Sequence, residues 1–505
     1  MKQEQVDKIV EMGIQLTSER SFDELLAKII DCAMELTDSD GGTLYLYEEQ
    51  QLKFCIMKNK SMGINREGID EEQHYPPVSM DEKNVCAYAA IHRRLMNIED
   101  AYHCEDFDFS GPREYDKLNG YRTRSILVFP LVNHEGNLMG VVQLINAKDE
   151  QGQVIPFKKE YERVLQSLGS QAAVAVSNMR FMEEIKELMM SITQVFTDTI
   201  DTRTPYNYYH SRNVYIYVQM LIDYINKRHR QGRLSRYFSS VKKEELLMAA
   251  LLHDIGKLVI PNEVINKNTR LGGKFPLVLE RFEHLITLYH IDYLEGKISR
   301  NKWIEMKNLL LDARDRVEDI NRKPRLSDED AAFVQNLAAQ RYLASDSRMI
   351  SFLTAEEAEC LSVRVGNLTK EERELIRSHV IYTERYLHKM KFGERYSHII
   401  EWAGAHHELL DGSGYPRGLK GDQISFEVRM LTVVDVFEAL TSSDRPYKKS
   451  MEVDKALDVL EDMADEGKID KEVLGLFREA LAESGGDIQL FYQREEDAEE
   501  TGPEG

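Results

Sequence analysis

Residues 1–175 read as an α+β domain, 176–200 as a long connecting helix and 201–485 as an all-α domain with a helical insertion. Three observations predict this multi-domain architecture. Strand-like runs rich in β-branched and aromatic residues fall between Gly42 and Asn146 and thin out beyond. A seam of residues at alternating steps of four and three follows them. The rest is rich in helix formers, and 505 residues are too many for one ordinary core.

The first domain opens on a helix. Ser21 and Glu24 form a capping-box pattern, and Leu25, Leu26, Ile29, Ile30, Ala33 and Leu36 recur on one helical face. Strands are expected at Gly42 to Tyr47, Leu52 to Met57, Ser125 to Val132 and Met139 to Asn146, separated by turn formers. Val174, Asn178, Phe181, Ile185, Leu188, Ile192, Val195 and Thr199 then form a heptad seam. It predicts a parallel coiled coil joining two protomers; a helix packed on its own domain is the plainer alternative. The second domain is poor in strand runs and is expected to be all-helical. Between about residues 266 and 365 a charged, helix-patterned segment carries no chemical motif and reads as an insertion that decorates the rim of that domain, with a lid over the site as the alternative. Residues 486–505 read as an acidic, disordered tail, since the run from Arg494 is nearly all acidic or small.

Composition narrows the function. With 42% apolar and 30% charged residues, the chain has no stretch near the roughly 20 apolar residues a membrane span needs. Met1 to Val10 lacks the apolar centre of a secretory signal, so a cytoplasmic protein with no membrane association is expected. Cys32, Cys55, Cys86, Cys104 and Cys360 are odd in number and lack metal-ligand spacing, which suits reduced thiols. A net charge of -22 argues against a nucleic-acid polymer as partner. A small phosphate-bearing substrate is compatible where metal ions and a few cations offset the acidic background.

Three places carry chemistry. The apolar run Leu246 to Leu252 ends in His253-Asp254, and a buried His-Asp pair needs a metal or an ion partner. His406 and His407 precede a turn rich in Gly and Pro; on one helix they would project about 100° apart and serve two neighbouring ions. Asp435 sits inside the apolar run Val433 to Leu440, again in want of a partner.

Two resemblances rest on longer motifs. The runs DGGTLYLY from Asp40, RSILVFPLV from Arg124 and GVVQLINAKD from Gly140 resemble a GAF domain, a small-molecule sensor fold. Asn146, Lys148, Phe157 and Glu162 fall near a signature of some cyclic-nucleotide phosphodiesterase GAF domains, with Tyr161 in place of its Asp. The resemblance implies a small-molecule effector of unknown identity, or a structural, dimerising role. HDIGK at 253–257, HHELLDGSGYP at 406–416 and DRPYK at 444–448 resemble, in that order, the HD-GYP phosphodiesterases. This second resemblance implies a helical HD fold, two or three iron or manganese ions and cyclic di-GMP as substrate, cleaved to linear pGpG or GMP.

Carried over by position, the implied metal ligands are His210, His253, Asp254, His379, His406, His407 and Asp435, with Asp254 bridging two ions. Such donors suit iron or manganese and are also compatible with zinc or nickel. Tyr206 stands where members holding a third ion have Glu, so two divalent ions are expected. Asp254 and Lys257 are the implied catalytic pair, and Lys257, Arg445 and Lys448 the implied phosphate contacts. Asp411, Gly412, Gly414, Tyr415 and Pro416 would shape a loop beside the site. His284, His290, His388 and His398 fall outside the set as surface or structural histidines. Two other readings keep the same site: an HD phosphohydrolase acting on another nucleotide, and a cyclic-dinucleotide receptor or docking module without turnover.

Overall fold

The computed structural model describes residues 21–67, 77–203, 209–344, 347–442 and 451–485. Tyr206, Arg445, Lys448 and the acidic stretch 486–505 lie outside them. The chain divides into two compact units between Met189 and Met190. Among the described residues no helix is long and apolar enough to cross a membrane.

In the first unit, α1 (Phe22–Thr37) starts where Ser21 Oγ accepts the Glu24 amide at 3.5 Å. Of the four longest strands, β1 (Ser39–Glu48), β2 (Gln51–Asn59) and β7 (Leu138–Lys148) extend the expected runs, and β6 (Ile126–Val132) starts one residue inside its run. The antiparallel sheet runs β3 (Ile64–Glu67), β2, β1, β7, β6, β5 (Met96–Ile98); β4 (Val78–Ser79) pairs β2, and β8 (Val154–Ile155) pairs β7. Between β4 and β5 lies α2 (Val85–His92), and between β5 and β6 lies α3 (Ser110–Asn119). One sheet face buries Leu44, Leu46, Phe129 and Leu144 against Leu25, Ile29 and Ile30 of α1 and Leu165 and Ala172 of α4 (Glu160–Asp201). The other buries Ile126, Val128 and Val141 against Val85, Cys86 and Ala89 of α2. The residues near the cyclic-nucleotide signature are spent internally. Asn146, at φ +54°, accepts the Arg124 amide at 2.7 Å and donates to Arg122 O at 2.8 Å; Lys148 pairs with Asp40; Glu162 accepts from Asn97 at 3.0 Å.

α4 is one 42-residue helix covering the heptad seam. Phe181, Ile185, Ile192 and Val195 of that seam are 60, 48, 44 and 65% exposed.

The second unit packs α5 (His210–Arg230) against α6 (Ser240–Leu252), α15 (Phe426–Thr441) and α17 (Lys471–Ser484). Tyr217, Phe437 and Phe477 meet edge to face at 5.0 to 5.8 Å in its core. A short helix α7 (Asn262–Ile265) leads into the expected insertion, which is α8 (Phe275–Leu294), α9 (Arg300–Arg322), α10 (Asp328–Ala339), β9 (Arg341–Leu343), β10 (Met349–Ser351) and α11 (Ala355–Leu361). Among the described residues the second unit is helical as expected apart from one departure, the antiparallel pair of β9 and β10, each too short to show a strand period. This segment has its own core, built on Val278, Phe282, Leu285, Leu310, Val317, Val334 and Phe352. Its two ends meet, since the Asn367 side-chain amide donates to the Lys267 carbonyl and Lys267 Nζ reaches both Glu372 oxygens at 2.7 Å. The chain continues through α12 (Lys370–Arg377), α13 (His379–Leu387), α14 (Ile399–Ala403), α15, α16 (Val453–Asp465) and α17.

Candidate metal centre

Five elements each bring donors to one buried point. His210 opens α5, His253 caps α6, Asp254 precedes a 3-10 turn at Ile255–Val259, His379 opens α13, and Asp435 lies within α15. His406 and His407 sit in the turn after α14, not on a helix; Gly404 caps α14 before they arrive, which corrects the expectation of a shared helix. Close approach is made possible by Gly256, where a Cβ would overlap the His379 backbone. Thr383 fastens the same contact, donating to the His253 carbonyl at 2.9 Å and accepting the Gly256 amide at 3.0 Å. Thr432 of α15 donates to the His406 carbonyl at 2.8 Å.

The donor atoms form two groups, His210, His253 and Asp254 in one and His379, His406 and His407 in the other, each with its atoms within 4.8 Å. Both carboxylates span the groups. Asp254 Oδ2 lies 3.3 Å from His210 Nε2 and from His253 Nε2, while its Oδ1 lies 3.2 Å from His379 Nε2. Asp435 Oδ1 lies 3.3 Å from His210 Nε2, and its Oδ2 lies 3.6 Å from His407 Nδ1.

Ring orientation is imposed from behind. His253, His379 and His406 each place Nδ1 2.6 to 2.7 Å from the carbonyl three residues earlier, of Ala250, Ile376 and Ala403. A carbonyl can only accept, so Nδ1 carries the hydrogen and Nε2 presents its lone pair inward. Asp254 Oδ1, His379 Nε2 and His406 Nε2 are buried without a hydrogen bond, the first two despite their 3.2 Å separation. Buried acceptors facing one another without a donor are costly, and a cation between them removes the cost. The residues present therefore fit divalent metal ions.

Charge follows the same plan. Burial pushes the His406 imidazole well below its usual range, helped by His407 and His253, and takes His407 down to about 4. Both are neutral donors at pH 7. Burial would raise Asp254, but Lys257, His253 and His210 outweigh it and hold the carboxyl well below normal; Asp435 is lowered likewise, chiefly by His210 and His407. His210 moves the other way: burial lowers it, but Glu438, Asp254 and Asp435 lift it well above the ordinary histidine value.

All seven sequence-assigned ligands thus converge. Lys257 ion-pairs with Asp254 from the 3-10 turn, on the side that faces the donor groups. In the loop, exposed Asp411 accepts the Ser413 amide at 2.8 Å, Gly412 takes φ +83°, and a Cβ on Gly414 would strike the Leu409 backbone; these residues hold the turn. Tyr415 lies with its ring 4.8 Å from that of His407, beside Pro416. His284, His290, His388 and His398 are exposed and absent from both donor groups; His398 accompanies Glu245 at 3.1 Å.

Sequence reasoning gave no role to four residues around the centre. Glu438 contacts His210 Nδ1, and Glu408 accepts the Arg417 and Leu419 amides at 2.7 and 2.8 Å, fixing the loop. Thr383 ties α13 to the end of α6 and to the 3-10 turn, and the Arg377 guanidinium lies 5.2 Å over the Tyr415 ring. Glu438 was legible in principle, as a second acid one helical turn after Asp435 in an apolar run.

The order of the fold, a sheet domain followed by a helical domain carrying the donor groups, agrees with the families that the two stretches match. Residues 21–176 match the GAF domain family, and residues 207–317 and 354–473 match HD domain families. The 3'3'-cGAMP-specific phosphodiesterase 3 of Vibrio cholerae is 41% identical over 116 residues, 23% of this chain and 24% of that protein. The 3'3'-cGAMP-specific phosphodiesterase 1 of the same organism is 42% identical over 108 residues, 21% of this chain and 24% of that protein. A cyclic di-GMP phosphodiesterase of Pseudomonas aeruginosa is 38% identical over 117 residues, 23% of this chain and 27% of that protein. The matched stretch spans only about a quarter of each of these relatives. A GAF domain from an Acinetobacter phosphoenolpyruvate-protein phosphotransferase is similar at 18% identity and TM-score 0.28, over 36% of this chain and 99% of that one.

Proposed function

We propose that this chain is a metal-dependent phosphodiesterase that hydrolyses a cyclic dinucleotide, cyclic di-GMP or 3'3'-cGAMP. The observation that carries the reading is the pair of donor groups joined by Asp254 and Asp435, with three buried donor atoms left without hydrogen bonds. His210, His253 and Asp254 would hold one ion and His379, His406 and His407 the other, with Asp435 shared. Iron or manganese suits this mixture, and two ions suit two groups. When bound, such ions make water a competent nucleophile near neutral pH and offset charge on phosphoryl oxygens.

The chain's own groups do the rest. Burial keeps His406 and His407 unprotonated, and the carbonyls behind His253, His379 and His406 hold the rings against rotation. Lys257 places a cation beside Asp254, where it can share the negative charge of a bound phosphodiester. Arg445 and Lys448 are proposed as further phosphate contacts, and the Asp411 to Pro416 loop as one wall of the pocket. Residues 1–175 would act as a sensor for a small effector, and exposed Phe181, Ile185, Ile192 and Val195 on α4 would pair two copies.

The test is cleavage of cyclic di-GMP and of 3'3'-cGAMP by anaerobically purified protein with quantified metal, beside His253→Ala/Asp254→Ala protein. Linear product and bound metal from the native chain, with neither from the variant, is expected. Metal-loaded native protein that binds both dinucleotides without product would replace this reading with a receptor.

A further inference from the structure

Residues 224–243 hold seven cations and no acid: Lys227, Arg228, Arg230, Arg233, Arg236, Lys242 and Lys243. In a chain of net charge -22, so long an acid-free run is a local reversal of sign. Cations in the last turn of α5 are expected beside the helix dipole, which accounts for Lys227, Arg228 and Arg230. Arg233 and Arg236 come after the Gln231 cap, where that effect has faded. Four of the seven have acidic partners: Lys227 with Glu483, Arg228 with Glu479 at 3.9 Å, Lys242 with Glu427 at 2.6 Å and Lys243 with Asp223 at 2.5 Å. Arg230, Arg233 and Arg236 are exposed and have no acidic partner among the described residues, although Phe426 fixes the Arg236 guanidinium at 3.7 Å from its ring centre.

The described chain stops beside this patch. Glu479 and Glu483 bring the end of α17 to Arg228 and Lys227, and the Tyr224 hydroxyl donates to Glu479. A groove of about 300 Å³ opens there, with Met220, Tyr224 and Ala480 in its lining, Arg230 on one side and Ser484 at the end of α17. Past Gly485 the sequence places Ile488, Leu490, Phe491 and Tyr492 ahead of Glu495, Glu496, Asp497, Glu499 and Glu500. Residues 486–505 carry seven acids, these five with Asp487 and Glu504, against the single cation Arg494.

We propose that residues 486–505 dock on their own chain, with Ile488 to Tyr492 in the groove between α5 and α17 and Glu495 to Glu500 on Arg230, Arg233 and Arg236. The ten residues from Gly485 to Glu495 span at most about 35 Å, and Arg230 shares its groove with Ser484, so the reach is ample. Tethering sets an effective concentration on the order of millimolar, while any external polyanion also meets the repulsion of an acidic protein. The tethered acids are therefore the favoured occupant.

Carbodiimide cross-linking of the full chain, read by mass spectrometry, tests this directly. Cross-links are expected from Lys227, Lys242 or Lys243 to Glu495–Glu500, falling about tenfold when sodium chloride is raised from ~0.05 to ~0.5 M. An Arg230→Gln/Arg233→Gln/Arg236→Gln chain should lose them to a similar extent while keeping its melting temperature. Three cross-linking outcomes would overturn the proposal. The first is absence of these cross-links at low salt, and the second is their persistence in the triple variant. The third is their appearance between isotopically distinct copies in a mixed sample, which would seat the acids on a neighbouring molecule. Co-sedimentation of the native chain with phosphatidylserine vesicles or duplex DNA at low salt would likewise overturn it, because the patch would then be open.

Discussion

Glu438 holds His210 Nδ1 with one oxygen and accepts the Asn213 side-chain amide at 3.0 Å with the other, so Nε2 is presented to Asp254 and Asp435. A carboxylate behind a ligating imidazole fixes its tautomer and raises its basicity. Glu438→Gln should weaken metal retention about 10- to 100-fold, measured by chelator competition. Unchanged retention would reduce Glu438 to a packing residue.

Gly256→Ala inserts a methyl group into the backbone of His379. We expect a loss of about 3 kcal/mol in stability together with loss of bound metal, since α13 must retreat. Urea unfolding and metal analysis of the same sample check both; a stable variant with full metal would sink the argument.

The metal-free protein should lose stability as pH falls. His407 titrates near 4 when folded and near 6.5 when unfolded, and His406 is displaced the same way. Between those values the unfolded chain binds more protons, so stability rises with pH through about 4 to 6.5. His210, raised on folding, has the opposite sign: its contribution is complete below about 6.5 and disappears as pH climbs through its higher folded value. Melting curves of chelator-treated His407→Asn protein should show a shallower acid slope than the parent, and an identical slope would refute the assignment.

Arg377 lies over Tyr415, whose ring rests against His407. Arg377→Ala is expected to lower kcat/KM for the cyclic dinucleotide about tenfold with metal content unchanged, and Lys at this position to restore little, lacking the planar face. Steady-state kinetics alongside metal analysis separates this from a folding defect.

The seam on α4 predicts a dimer. Ile185→Glu/Ile192→Glu should convert it to a monomer in sedimentation equilibrium. A monomeric parent at high concentration would end the proposal.

Local signals carried most of this. The long strands were visible because their β-branched runs are half or fully buried, while β3, β4, β5 and β8 span only two to four residues and have no period to detect. His253-Asp254 and His406-His407 were legible as adjacent donors in short motifs and Asp435 as a lone acid in an apolar run, while His210 and His379 stand singly and came only with the family resemblance. Glu438, Thr383 and Thr432 work across gaps of 228, 130 and 26 residues, a distance at which no sequence period operates. The adjacency of His406 and His407 does not register the stop at Gly404, so it does not separate a turn from a continuing helix.

Lys267 and Asn367 touch, so the 99 residues between them begin and finish at a single point of the second unit. Ring-closure entropy grows only with the logarithm of loop length, and this loop has a folded interior of its own. It is in effect a cassette: a genetic gain, loss or exchange of that stretch leaves the host closing the same short gap. What hangs there can evolve at its own pace, while the histidines and aspartates of the host keep their positions.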